Sequence, residues 1–192
     1  MRPHLIAFVL ILVGCKTAPA PTEPSPVVAA PPTANADAAP ATAGPVFAGD
    51  DLDTSAEAVG PLRQGQAESE VLSTLGAPDE KPAFVMMEAT GEFVSDWPWA
   101  DKGLVLTMAA ADASGASATV SGITCGKSCA FELPWGLKIG STRAEVEAVY
   151  GDHFDKAFTD EHTFVAGSVY GGSFYRFESD RVVGIFIGAG AE

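Results

Sequence analysis

Cys125 and Cys129 are separated by Gly126, Lys127 and Ser128, and thiols at this spacing can form a disulfide, hold a metal or remain free. A redox pair favours two intervening residues at a helix start, whereas three residues separate this pair in a loop that follows a strand. In an exported protein a nearby pair is expected to close as a structural disulfide. Gly126-Lys127-Ser128 also mimics the end of a phosphate-binding loop. Ser121 stands where that motif requires glycine, and no helix start follows, so phosphate binding is rejected.

A second concentration of chemistry lies between Asp152 and His162, where His153 and His162 sit among Asp152, Asp155, Asp160 and Glu161. Imidazole and carboxylate suit zinc or another divalent ion. One reading is therefore a metal-dependent binder or enzyme built on the His153/His162 loop. The other is a solvated helix-to-strand loop, and no metal is assigned. There is no Gly-x-Ser-x-Gly and no His-Glu-x-x-His, and nothing singles out a carboxylate as a raised-pKa acid. The chain is expected to be no enzyme, with no cofactor and no evident small-molecule substrate. Trp97, Trp99, Trp135 and Tyr175 are the candidate aromatics for gripping a protein partner, with core packing as the alternative.

These residues need elements to hold them, and the pattern from about residue 55 onward supplies them. Leu62, Gly65, Glu70, Val71 and Gly76 recur 75 residues later as Leu137, Gly140, Glu145, Val146 and Gly151. A fixed period of this kind signals a repeated supersecondary unit. Each copy predicts a short helix: Val71, Leu72 and Leu75 in the first, and Val146, Val149 and Tyr150 in the second, form an apolar stripe. Thr142 and Glu145 have capping-box spacing, whereas Ala67 leaves the first helix without such a cap. Gly76 and Gly151 stand at the left-handed stop position.

After each helix the period changes to two. Strands are predicted over 83–89, 92–97, 103–109 and 117–124, then over 163–169, 172–178 and 181–188. Turns fall at 112–115 and at 178–180. The fold class is α+β, with two tandem repeats at about 60–125 and 135–190 in a duplicated domain spanning 55–192. Each repeat is a helix on one face of an antiparallel meander. The face taken by each of Phe174, Tyr175 and Phe177 depends on the strand register.

The amino-terminal third is of another kind. Residues 17–49 contain eight prolines, with alanine, threonine and serine filling much of the rest. So little apolar surface does not offset ordering entropy, so residues 15–54 are expected to form an unfolded tether. At about 3.1 Å per residue its reach is on the order of 100 Å. Before it, Arg2, an apolar run from Leu5 to Val13 and the small residue Gly14 read as an export signal over 1–14. The run covers roughly 15 Å as a helix, about half of a hydrocarbon core. The net charge of −14 disfavours nucleic acid and anionic lipid headgroups as partners.

Leu12-Val13-Gly14-Cys15 resembles the cleavage site of bacterial lipoprotein signals. That resemblance implies a mature chain beginning at a lipidated, palmitate-bearing Cys15. Lys16 in place of aspartate resembles the pattern that sends lipoproteins to the outer membrane, facing the periplasm. The Leu-x-x-Gly-x-x-x-x-Glu-Val-x-x-x-x-Gly signature is similar to that of outer-membrane-assembly lipoproteins of the SmpA/OmlA (BamE) type. Two such units in tandem resemble the beta-lactamase-inhibitor protein family. The resemblance implies a non-enzymatic envelope lipoprotein whose sheet binds another protein in an assembly or structural role. An inhibitor of an envelope or secreted hydrolase is the alternative it implies.

Overall fold

The computed structural model describes residues 45, 47–48, 51–53 and 56–190. These belong to a unit spanning Ala38–Glu192. The signal-like segment, Cys15 and most of the expected tether lie outside the described residues.

In chain order the elements are β1 (Phe47–Ala48), β2 (Asp51–Leu52), β3 (Ala58–Val59), β4 (Leu62–Arg63), α1 (Glu68–Leu75), β5 (Val85–Met86), β6 (Phe93–Trp99), β7 (Leu104–Ala110), β8 (Thr119–Cys125), α2 (Arg143–Tyr150), β9 (Thr163–Ser168), β10 (Gly171–Glu178) and β11 (Arg181–Gly188). A single 3₁₀ turn, Ala100–Lys102, joins β6 to β7. The α+β class is as expected: two helices and a mostly antiparallel sheet of seven strands in the order β5-β6-β7-β8-β11-β10-β9. The two meanders meet through their final strands, with Ile123, Thr124 and Cys125 opposite Ile187, Phe186 and Ile185.

Both helices are eight residues long, too short to persist alone in water, so burial of their apolar stripes must hold them. Val71 and Leu75 of α1 and Val146 and Tyr150 of α2 are buried. Thr142 and Glu145 form the expected capping box, while Ala67 makes no side-chain cap. The helix-side face of the sheet supplies the rest of the core, including Trp97, Trp99, Leu106, Met108, Ile123, Ile185, Tyr175 and Phe177. Ser179 and Asp180 both have positive φ, which suits the right-handed twist of the β10–β11 hairpin they close.

The same backbone bonds tie each helix entrance to the last strand of the meander that follows. Gly65 donates to Val120 and Gly140 to Val182, while Val120 donates to Gln66 and Val182 to Ser141. The Gln66 side chain accepts from the Arg63 amide, and the Ser141 hydroxyl from that of Lys138. Each final strand carries one bulge, leaving Ser121 unpaired in β8 and Val183 unpaired in β11.

The fold also starts earlier than the expected boundary at residue 55. β1 pairs with β2, and Leu52 is buried so near Gly167 that a Cβ added there would lie 2.5 Å from the Leu52 Cβ. Part of the expected tether is therefore folded onto β9 and β10. The signal for this was a single leucine with a partner more than a hundred residues away.

Candidate functional site

The helices occupy one face of the sheet, so the chemistry available to a partner depends on the other face and on the edges. The β9 edge is covered, and at the other end β6 is covered where it runs past the two-residue edge strand β5. Beyond β9, Asp155 donates to the Val165 carbonyl, Gly167 to that of His153, and Asp160 to that of Thr163. Thr159 accepts from the Val165 amide through its hydroxyl. Beyond β6, Asp79 donates to the Pro98 carbonyl and the Ser95 hydroxyl to that of Pro82. Pro98 itself has no amide to offer, which suits a strand near an edge. These devices occupy backbone groups of β9 and of the part of β6 that β5 leaves unpaired, which hinders the pairing of another strand there.

The face away from the helices carries a row that crosses six strands, in which Pro98, Val105, Thr124, Phe186, Phe174 and Val165 are successive neighbours and all but the buried Val165 are at least partly exposed. Phe174 and Phe186 are half-buried, their rings tilted at 47° with centroids 5.5 Å apart. Next to them Arg176 lies opposite Gly184. Thus Phe174 faces outward while Tyr175 and Phe177 face the helices, which the register had to decide.

The aromatics named from sequence do not reach this face. Trp97 and Trp99 are each 2 % exposed and Tyr175 is fully buried, so they are corrected here from partner-binding candidates to core residues. Trp97 donates to Ser95, Lys81 stands over its ring, and Phe84 packs edge-on against it. Trp135 is half-buried against the core and donates its indole N–H to Glu57 at 3.0 Å.

Glu57 is the site residue that sequence reading missed. It precedes β3, yet its side chain enters the core beside α2 and β10. One carboxylate oxygen accepts from Trp135, and the other from the Tyr150 hydroxyl at 2.9 Å and the Ser173 hydroxyl at 3.0 Å. The Tyr150 and Tyr175 hydroxyls are 2.6 Å apart, so Tyr175 donates to Tyr150 when Tyr150 donates to the carboxylate. Burial pushes the Glu57 carboxyl above its ordinary value, and the three bonds from Trp135, Tyr150 and Ser173 only partly offset this. Burial likewise raises both tyrosines well above the usual phenol range.

Cys125 and Cys129 lie at the end of β8, both buried, with sulfurs 2.8 Å apart. As thiols they are unequal: the contact with Cys129 and burial raise Cys125, while the contact from Cys125 lowers Cys129 to about 7. His153 and His162 are exposed, and their loop is spent on covering the β9 edge. Asp160 accepts from the His162 and Thr163 amides and Asp155 from that of Ala157. Among the described residues no group of three or more His, Cys, Asp or Glu side chains is placed to hold a metal ion. No helix among them is long and apolar enough to cross a membrane.

Fold and site together define an α+β protein with two short helices on one sheet face and a partly apolar face left open. No protein-family model matches the chain, and comparisons with curated proteins and with solved structures returned no match.

Proposed function

We propose that this chain is a non-enzymatic, lipid-anchored envelope protein that binds a protein partner on the open face of its sheet. The observation that carries the reading is the division of the sheet's surfaces. Helices cover one face and a loop covers the β9 edge, while the row from Pro98 to Phe174 on the other face stays at least partly exposed, with Phe174 and Phe186 as its aromatic pair. Aromatic side chains on such a face make efficient anchors because each removes a large apolar area from water on contact. The anchor rests on the Leu12–Cys15 sequence, and an outer-membrane location facing the periplasm on Lys16.

The two halves are read as tandem repeats of the kind that the 75-residue period predicts. Support comes from the matched bonds of Gly65 and Gly140, the matched supports from Gln66 and Ser141, and the paired bulges at Ser121 and Val183. Duplication of this kind, with final strands meeting at the centre, makes one face from two copies. This supports the resemblance to the beta-lactamase-inhibitor protein family, in which two such units stand in tandem, as a reading of the fold.

The test is site-specific photocrosslinking of the full chain in intact envelopes. A crosslinker at Phe186 or Val105 is expected to give a discrete adduct, and one at the exposed helix position Ser73 none. In the same cells Cys15→Ser is expected to release the protein from the membrane fraction. Equal labelling from Ser73 and Phe186 would sink the assignment of the face.

Cys125 and Cys129 are proposed to form a structural disulfide, supported by their burial and adjacency. Closing so short a loop is worth about 2 kcal/mol in the entropy model. Thiol titration of the denatured, exported protein is expected to find none without reductant and two with it. Two thiols without reductant would overturn the bond.

A further inference from the structure

We propose that the pit at Gly184 on the open face binds a small amphiphilic monocarboxylate, an aryl or short alkyl group bearing one carboxylate. A cavity of about 320 Å³ opens there, at the small end of the range for ligand pockets. Phe174 and Phe186 supply apolar walls, Thr124 and Thr163 stand at the rim, and Arg176 borders the cavity.

Gly184 is the first argument. Glycine inside a strand costs stability, so it usually answers a backbone need or the close approach of another group. Elsewhere in this fold the need is visible. A Cβ at Gly172 would strike the Ala166 and Ser168 carbonyls, and one at Gly103 would lie 2.6 Å from the Cys129 nitrogen. Gly184 has no positive φ, and its Cβ would only touch Arg176 Nε and Nη2 at 3.6 Å and the Cys125 carbonyl at 3.7 Å. The backbone tolerates a side chain at 184. What glycine provides is a floor of the pit with no side chain of its own, over which the guanidinium lies at contact distance.

Arg176 is the second argument. It is exposed, and among the described residues it makes no ion pair or hydrogen bond. Glu178, two residues along, forms its ion pair with Lys127 at 2.6 Å and feels Arg176 only as a longer-range charge. The bulge at Val183 falls directly beside Arg176, where such an irregularity re-aims a side chain. A guanidinium presents paired donors that match one carboxylate. One cation beside two phenyl rings therefore selects an apolar body with a single negative charge.

The probe is 3-phenylpropionate, titrated into the ¹⁵N-labelled full chain in detergent, with neutral 3-phenylpropanamide as the control for partitioning. Saturable shifts are expected at the amides of Thr124, Gly126, Thr163, Arg176 and Gly184. The amide is expected to bind more weakly by about fivefold, and Arg176→Gln to weaken the acid by about the same factor. Gly184→Leu is expected to remove binding while the protein remains folded by its amide spectrum. Absence of saturable shifts at these amides, or equal binding of acid and amide, would overturn the proposal. So would unchanged affinity in Arg176→Gln.

Discussion

Glu57→Ala is expected to lower stability by about 3 kcal/mol, combining three donors left without an acceptor with the small cavity the side chain vacates. In a domain of this size that is a fall in Tm of roughly 10 °C. The indole of Trp135 and the hydroxyls of Tyr150 and Ser173 converge on this one carboxylate from three separate elements. Glu57→Gln keeps the shape and one acceptor, and is expected to cost about 1 kcal/mol near neutral pH. Chemical denaturation of the three proteins decides, and a loss below about 0.5 kcal/mol in Glu57→Ala would rule out the cluster as a support of the core.

The pH dependence has a definite sign. Burial raises the Glu57 carboxyl in the folded protein above its ordinary value. Between the two values the folded chain holds a proton that the unfolded chain has released. Stability therefore falls as pH rises from the ordinary carboxylate range through the raised folded value. Its contribution is fully present below that range. Wild type is thus expected to lose stability relative to Glu57→Gln across this window. The exposed carboxylates Asp112, Glu145, Asp160 and Glu178 are shifted downward by hydrogen bonds, so their contribution is lost as the medium is acidified.

Gly103→Ala carries the second large effect. Gly103 ends the turn between β6 and β7 with φ 61° and ψ 33°, a left-handed conformation that costs other residues about 1–2 kcal/mol. An added methyl would also meet the Ser128 hydroxyl, the Cys129 nitrogen at 2.6 Å and the Ser128 carbonyl carbon at 2.8 Å. Overpacking against backbone adds about 1–3 kcal/mol, for a total of about 3 kcal/mol or more. Gly76→Ala is the comparison without the clash: its φ of 79° and ψ of −169° are a conformation reserved almost entirely for glycine, at about 1–3 kcal/mol, but nothing lies within 4 Å of the added methyl. A loss in Gly103→Ala no larger than the conformational part alone, about 1–2 kcal/mol, would show that the contact with the cysteine loop is unimportant.

The elements were legible where the signal was local. Apolar spacing, the Thr142–Glu145 box and the terminal glycines delimit the helices, and the period-two runs delimit six of the seven sheet strands within about three residues. The seventh, β5, was expected to run from 83 to 89 but pairs only through Val85 and Met86. The site was less legible because its decisive facts are relations across the sheet. Alternation divides Phe174 from Tyr175 but does not say which belongs with the helices. Trp97 and Trp99 share parity with Ser95, and only their contacts on the helix side put all three indoors. Glu57 sits in a polar stretch where a solvated carboxylate is the default, and its partners lie 78, 93 and 116 residues further along.

Those separations bear on the timing of folding. A chain made from its amino terminus presents Leu52 and Glu57 early, but β9 and β10, which receive them, come near the end. At about 5–20 residues per second, the 116 residues between Glu57 and Ser173 take on the order of ten seconds to synthesise. During that interval the leading segment has no native seat. Docking it is therefore a late event that waits on the β9–β10 hairpin.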